Sequence, residues 1–442
     1  MRLSQAGIGK TRLQNVDKMF PAQDILLQSG QIVQFGTGIY GYNNVPLKVK
    51  QKIETIIKEE LTKCGCTEIE LPTLQTREMW ESSGRWSKYV ESGTMLTINT
   101  GKGEFCLAPT AEEAVVEFAK RKIKSHKDLP TTFFQIGEKY RNELRTRGYL
   151  LRGKSFPMMD AYSFNRDETS LLETYETIKQ GYLNIFQRLG LPVVPVVADN
   201  GAIGGKKSEE FMVLSEIGED TILYDEATGI ALNSEILERE DYKEYLKSEY
   251  SIGDITKLEP RKAIELGHIF QLGKTYSENM RANYVDANGK EKPFYMGCYG
   301  IGVSRTLAAI YERSIIRDKD GLAEGISLPC NIAPYFMQII PKPDSEKKVQ
   351  EAEELYQIML SKGIGVILDD RKDTSIGSSI KDCKILGTPY IIILGDKVKE
   401  GEIEIESTKT GKKIIVQKSK IVDMVDKKDI KQEMNQAENL MI

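Results

Sequence analysis

Three separated segments of this 442-residue chain hold side chains whose types and spacing could do chemistry. The first is Leu107-Ala-Pro-Thr110-Ala-Glu112-Glu113, a hydroxyl two residues from a carboxylate. The second is Arg141-Asn-Glu143, followed by Arg145, Arg147, Arg152, Lys154 and Phe156. The third is Met296-Gly-Cys298-Tyr-Gly300-Ile-Gly302-Val-Ser-Arg305. A guanidinium forks onto phosphates and carboxylates, which makes the second and third segments candidates for holding an anion. Each segment also has a plainer reading on its own. Thr110 and Glu113 stand three apart, as in a capping box. The basic run reads as a solvated loop between two strands, and the glycines before Arg305 as a turn into a helix.

Other candidates fall away. Gly36-Thr-Gly38-Ile-Tyr-Gly41 has dinucleotide spacing, but Tyr42-Asn-Asn-Val-Pro46 separates it from the next helix. No helix N-terminus then faces a pyrophosphate, so the segment reads as turns at a strand end. No Walker-type loop occurs. Cys64-Gly-Cys66 has the wrong spacing for a zinc knuckle, and His126 and His268 are the only histidines. No metal ligand is assigned among the side chains.

The elements that must carry these segments follow from periodicity. Val49, Ile53, Ile56, Ile57 and Leu61 put one apolar stripe on residues 47–62, predicting an amphipathic helix. A strand-like run, Thr67–Leu71, follows and stops at Pro72. Residues 111–124 read as helix, Thr131–Ile136 and Ser155–Phe164 as strands, 168–188 as helix and Val193–Val197 as strand. This is an α+β pattern with successive strands and helices packed on them. From about 336 strand and helix alternate: Phe336–Ile340, Ser345–Lys362, Gly365–Leu368, Ile380–Leu386 and Tyr390–Leu394. That spacing predicts a small α/β domain with a largely parallel sheet, ending in a hairpin around Gly411. Leu328–Pro334 is the candidate linker, and the polar tail after Lys428 reads as a frayed helix. The expected domains are 1–330, with 206–261 as a short connector, and 336–442.

Composition bounds the rest. Apolar residues at 40% and charged residues at 29% exclude a disordered or fibrous chain. A net charge of −4 argues against a wholly basic nucleic-acid binder, leaving room for a local basic face. No apolar run reaches the ~18–20 residues of a membrane span, and the first residues lack a signal-peptide core. With six cysteines in a chain of this length, the reading is a cytoplasmic protein with reduced thiols.

Taken in order, the segments resemble the class II aminoacyl-tRNA synthetase signature. Helix 47–62 with the run to Pro72 looks like motif 1, which in that family builds the dimer interface, so the resemblance implies a homodimer. Arg141-x-Glu143…Phe156 looks like motif 2, and Gly300-x-Gly302…Arg305 like motif 3. The implied fold is an α+β catalytic domain with an antiparallel sheet, followed by a small α/β anticodon-binding-like domain. On such a sheet one arginine forks onto the α-phosphate of ATP, a carboxylate accepts from the adenine amino group, and a phenylalanine stacks on the base.

The resemblance narrows to the prolyl-tRNA synthetases of bacterial and mitochondrial type, over about residues 20–420. It rests on Glu81-Ser-Ser-Gly-Arg85-Trp86, Ala108-Pro-Thr110-Ala-Glu112-Glu113, Asp160-Ala-Tyr-Ser-Phe164, Gly204-Gly205, Gly267-His268-Ile-Phe-Gln271-Leu-Gly273 and Met296–Arg305. Ile340-Pro and Leu368-Asp-Asp-Arg371-Lys372 match as well. It implies a ligase that joins L-proline to tRNA(Pro) through prolyl-adenylate, using ATP and Mg²⁺. Thr110 and Glu112 would hold the imino nitrogen, and Arg141 the proline carboxylate together with the α-phosphate. Met158, Phe270 and Cys298 would wall the ring. Glu143, Arg152, Phe156, Glu265, His268 and Arg305 would surround ATP, with Arg141 and Arg305 as the catalytic arginines. Arg371 and Lys372 fall in the segment that reads the anticodon.

The chain departs from that pattern in places. Ser155 and Met159 replace a glutamate and a lysine, the loop Arg145-Thr-Arg147-Gly-Tyr149 differs from the usual one, and Glu209 stands where the family has a histidine near the pocket. Arg371–Ser379 lacks a lysine of the family's anticodon segment. Only Lys206–Arg261 lies where bacterial members often carry an editing domain, too short for the usual ~100 residues. The expectation is therefore misactivation of alanine without clearance by this chain. Two other readings remain open here: a paralogue that adenylates proline for a non-tRNA acceptor, and a non-catalytic relative that binds tRNA or regulates another enzyme.

Overall fold

The computed structural model describes residues 1–6, 12–201, 203–421 and 424. The tail after Lys428 lies outside them. The chain divides into two compact units: Phe35–Tyr40 with Ile53–Ala309, and Met1–Gln34 with Gly41–Lys52 and Ile310–Ile442.

The first unit is built on a nine-stranded sheet. Its order is Lys207–Leu214, Val193–Ala198, Ala231–Asn233, Asp220–Tyr224, Glu259–Gly273, Tyr295–Gly302, Ser155–Asn165, Thr131–Tyr140 and Thr67–Glu68. The central pairings are antiparallel, as expected. The strand 207–214 also pairs with 259–273, so the five strands from 193 to 273 close on one another in a small circuit. Val196, Met212, Ile222, Ala231 and Ala263 fill it. The connector is thus woven into the sheet: three of the five strands come from it.

Helix Glu168–Arg188 has the predicted bounds because Asp167 caps it, accepting from the Ser170 amide at 2.8 Å. The strand expected over Thr67–Leu71 is shorter, only Thr67–Glu68. The Leu71 amide donates to the Gln135 side chain at 3.0 Å rather than to a ladder carbonyl, which ends the pairing. The motif 1 helix runs Asn44–Lys63, and its apolar stripe, including Val49, Ile53, Ile57 and Leu61, is buried within the single chain. Ile32–Gly36 and Ile39–Tyr42 form a hairpin. Its glycine Gly38 has φ +77°, and its carbonyl accepts from the Lys154 amide at 2.8 Å. A Cβ there would come within 2.5 Å of Thr146 Cγ2, so a close approach explains that glycine.

The second unit carries a five-stranded sheet in the order Val366–Leu368, Met337–Pro341, Tyr390–Leu394, Glu402–Ser407 and Lys413–Gln417. The first three strands are parallel and the last two form the predicted terminal hairpin, so the sheet is mixed. Helix Glu346–Ser361 covers a core that includes Met337, Leu355, Met359 and Ile392. Leu328–Pro334 has no regular element, and Leu328, Ile332 and Ala333 in it are buried.

Candidate active site

A cleft opens over the antiparallel strands of the first unit. Alternation along a strand sends every second side chain to one face. Phe156, Met158, Asp160 and Tyr162 therefore enter the cleft together from one strand, and Cys298, Gly300 and Gly302 from its neighbour. A bulge opposite Phe211 and Met212 leaves Leu266 out of register, so Glu265 and His268 both reach the cleft at odd spacing. Helix Val303–Arg313 delivers Arg305 in its first turn.

All twelve side chains expected around proline and ATP line this one cleft: Thr110, Glu112, Arg141, Glu143, Arg152, Phe156, Met158, Glu265, His268, Phe270, Cys298 and Arg305. They arrive from segments spread over nearly two hundred residues. Arg371 and Lys372 belong to the second unit. There the Arg371 guanidinium is held by Asp369 and Asp382, each at 2.7 Å, while Lys372 is exposed.

At one end Thr110 Oγ1 donates to Glu112 Oε2 at 2.6 Å. This replaces the capping box: helix Glu112–Lys122 starts after Ala111 with no side-chain cap, because the Thr110 hydroxyl is spent on Glu112. Burial, with Glu112 nearby, pushes the Cys298 thiol well above its ordinary range, so it is a neutral wall beside Met158 and Phe270. His268 stacks on Phe270 with ring centroids 3.8 Å apart.

In the middle, Arg141 Nε donates to the Pro109 carbonyl at 3.2 Å, and its guanidinium lies 5.3 Å from the Phe156 ring. Arg152 Nε donates to Glu143 at 2.9 Å. At the far end Arg305 donates to the Leu151 carbonyl at 2.9 Å and pairs with Glu265. Removal from water opposes charge on Glu265, yet Arg305 and His268 hold its carboxyl well below the usual range. Burial, with Glu265 beside it, drives Glu210 well above that range and Asp220 up to about 6. Glu210, Glu265 and His268 offer ligand atoms within 4.8 Å of one another. The two carboxyl groups of this set, beside Arg305, are oxygen donors of the kind Mg²⁺ takes.

At the cleft floor, Asp160 accepts from Lys139 at 2.6 Å, from Gln135 at 2.9 Å and from Tyr162 at 3.0 Å, all buried. The Tyr162 hydroxyl in turn accepts from the Ala111 amide at 3.1 Å, tying the sheet to the Thr110 loop. Sequence reasoning gave these residues no role; Asp160 and Tyr162, two apart in a strand facing the site, were the available signal.

The departure at Glu209 is also relocated. Neighbouring residues on a strand face opposite ways, so Glu210 turns toward His268 and Glu209 turns away. Glu209 accepts from Tyr175 at 2.9 Å and from Lys179 at 2.6 Å on helix Glu168–Arg188. The position that lost a histidine is an internal ion pair behind the sheet, outside the pocket lining.

Family comparison agrees with this architecture. Residues 95–314 match the tRNA synthetase class II core domain of the G, H, P, S and T group, and 337–428 match an anticodon binding domain. A proline–tRNA ligase of Sulfurimonas denitrificans is 37% identical over 96% of this chain and 99% of its own length. One from Rickettsia bellii is 37% identical over 88% of this chain and 90% of its own. The alignment with the Listeria welshimeri ligase, at 32% identity, runs over 551 positions, longer than this whole chain, so that relative carries residues with no counterpart here. A solved prolyl-tRNA synthetase from Cryptosporidium parvum, complexed with L-proline and AMP, superposes with a TM-score of 0.73 at 15% identity, covering 96% of this chain and 78% of that one. The sheet, the cleft and these relatives together show that the chain belongs to the proline–tRNA ligase family of class II synthetases.

Proposed function

We propose that this chain activates L-proline with ATP and transfers it to tRNA(Pro). The observation that carries the reading is the convergence of Thr110, Glu112, Arg141, Phe156 and Arg305 on one cleft in a chain of this family. Glu112 and Thr110 hold the imino cation, which requires a paired acceptor once desolvated. Arg141 bridges the proline carboxylate and the α-phosphate. The carboxylate oxygen then attacks the α-phosphorus, forming prolyl-adenylate as the bond to the β-phosphate breaks and pyrophosphate leaves. No side chain acts as nucleophile; positioning and charge neutralisation supply the rate. A tRNA ribose hydroxyl next attacks the carbonyl carbon and AMP departs.

Glu143 and Phe156 take the adenine, and Arg305, Arg152 and His268 lie along the phosphates. Glu265 and Glu210 would hold Mg²⁺, which supplies further neutralisation of phosphate charge when bound. The catalytic work belongs to residues 1–330 and anticodon reading to 336–442, with Lys372 exposed for it and Arg371 holding its loop. Nothing in the comparisons favours the non-tRNA acceptor or the non-catalytic relative. Protein synthesis in the cytoplasm is the setting.

The purified chain is expected to charge tRNA with proline. It is also expected to leave pre-formed alanyl-tRNA for proline uncleared, because the connector is spent on sheet strands. A pocket sized for proline discriminates against the smaller alanine by only ~1–3 kcal/mol per missing methylene. Absence of prolyl-tRNA formation would refute the first statement, and deacylation well above the spontaneous rate the second.

Pairing of two copies is proposed from the family resemblance alone, since the apolar stripe of the motif 1 helix is already covered within one chain. The expected solution mass is twice the 49.9 kDa of one chain; a monomer mass at micromolar protein would remove the proposal.

A further inference from the structure

Arg85 lies outside the cleft lining, yet it is one of the most buried charges in the first unit, only 6% exposed. Helix Arg77–Ser83 delivers it: Gly84 ends that helix at φ +80°, a left-handed cap suited to glycine, and turns the chain inward. A single nitrogen, Arg85 Nη1, then donates to Glu112 at 3.0 Å and to Glu113 at 3.1 Å. Ser83 donates to Glu113 at 2.6 Å, and Arg85 Nη2 donates to the Tyr89 hydroxyl. The guanidinium also lies 4.6–5.2 Å from the ring centroids of Trp80, Tyr89 and Tyr276. An aromatic box of this kind favours a cation that water cannot reach.

We propose that Arg85 is a positioning residue for amino-acid recognition: it fixes the Glu112 carboxylate at the cleft, while Glu113 shares its charge so that Glu112 keeps its pull on a cation. This rests on the reading of Thr110-x-Glu112 as the proline-holding loop. The charge count supports it. Arg85 with Glu112 alone would make a neutral pair with little left for an imino cation. Adding Glu113 gives a buried trio with one negative charge in excess, and the incoming imino group neutralises it. Burial pushes the Glu113 carboxyl up, against the pull of Arg85 and the Ser83 hydrogen bond that favour its charged form. The three aromatic rings and the Tyr89 hydroxyl keep Arg85 from swinging into the cleft to complete the neutralisation itself.

The experiment is proline-dependent ATP–pyrophosphate exchange, with KM measured separately for proline and for ATP. Arg85→Lys keeps a charge and loses the planar fork. It is expected to raise the proline KM about tenfold or more, leaving the ATP KM within about twofold. Tyr89→Phe keeps the ring and removes only the hydroxyl on Arg85 Nη2; a rise of roughly threefold in the proline KM alone is expected. A merely structural arginine would move both constants together or only the melting temperature. An unchanged proline KM in folded Arg85→Lys, or equal shifts in both constants, overturns the proposal. If Arg85→Lys does not fold, an unchanged proline KM in Tyr89→Phe overturns it. Wild-type protein with no proline-dependent exchange would instead sink the proline reading, and this inference with it.

Discussion

Arg141→Ala is expected to lower proline-dependent pyrophosphate exchange by ~10²-fold or more while the protein stays folded. Arg141 is half-buried in the cleft lining and makes no ion pair with a carboxylate among the described residues. Its Nε donates to the Pro109 carbonyl and its guanidinium lies over the Phe156 ring in the cleft lining, where the proposed role has it meet the two anionic reactants. Its backbone amide bonds the Lys154 carbonyl at 2.9 Å, a main-chain anchor that truncation of the side chain does not remove. Loss of the side chain removes alignment of the two reactants and neutralisation at phosphorus in one change. Thermal unfolding near the wild-type midpoint, with exchange reduced in kcat/KM for both substrates, is the expected pair of results. Near-normal exchange by the folded variant would take Arg141 out of this role.

Glu112→Gln is expected to reduce kcat/KM for proline by ~10²-fold or more, since a buried cation left without its paired carboxylate costs about 3–5 kcal/mol. The fold should tolerate the change. Arg85 would keep Glu113 as its partner, turning the trio into a matched pair. The groups proposed for ATP lie toward the other end of the cleft, so the ATP KM should move little. Equal losses for ATP and proline would mean that Glu112 supports the whole cleft rather than the imino group.

The parts of this molecule that local patterns govern were legible in the sequence. Helix Glu168–Arg188 and strand Tyr390–Leu394 have the expected bounds because capping at Asp167 and an unbroken β-branched run are local signals. The twelve cleft residues were legible through motif strings, since each string sits in one strand, turn or helix start. Three features were not. Thr110 spends its hydroxyl on Glu112 because Arg85, a quarter-hundred residues upstream, has drawn that carboxylate into place. Glu209 faces helix Glu168–Arg188 because strand phase, set by pairing with 193–198 and 259–273, decides which neighbour looks into the cleft. Thr67–Leu71 stops early because a side-chain amide on another strand captures Leu71. Each depends on which distant segments meet, and short-range spacing does not encode that.

The closed circuit of strands between 193 and 273 bears on behaviour at high concentration. An open sheet edge offers unpaired amides and carbonyls as a template for another chain, and long exposed edges are where soluble proteins begin to aggregate. Here one end of the nine-stranded sheet is shut on itself, since 207–214 pairs both with 193–198 and with 259–273. The opposite end finishes in Thr67–Glu68, two residues long and too short to seed a foreign strand. A fifteen-residue strand that would otherwise be a hazard, Glu259–Gly273, has a partner along most of its length and one on each side over Gly267–Gln271. The connector therefore protects the sheet from edge-to-edge association, a solubility device made from the segment that in longer relatives could have held something larger.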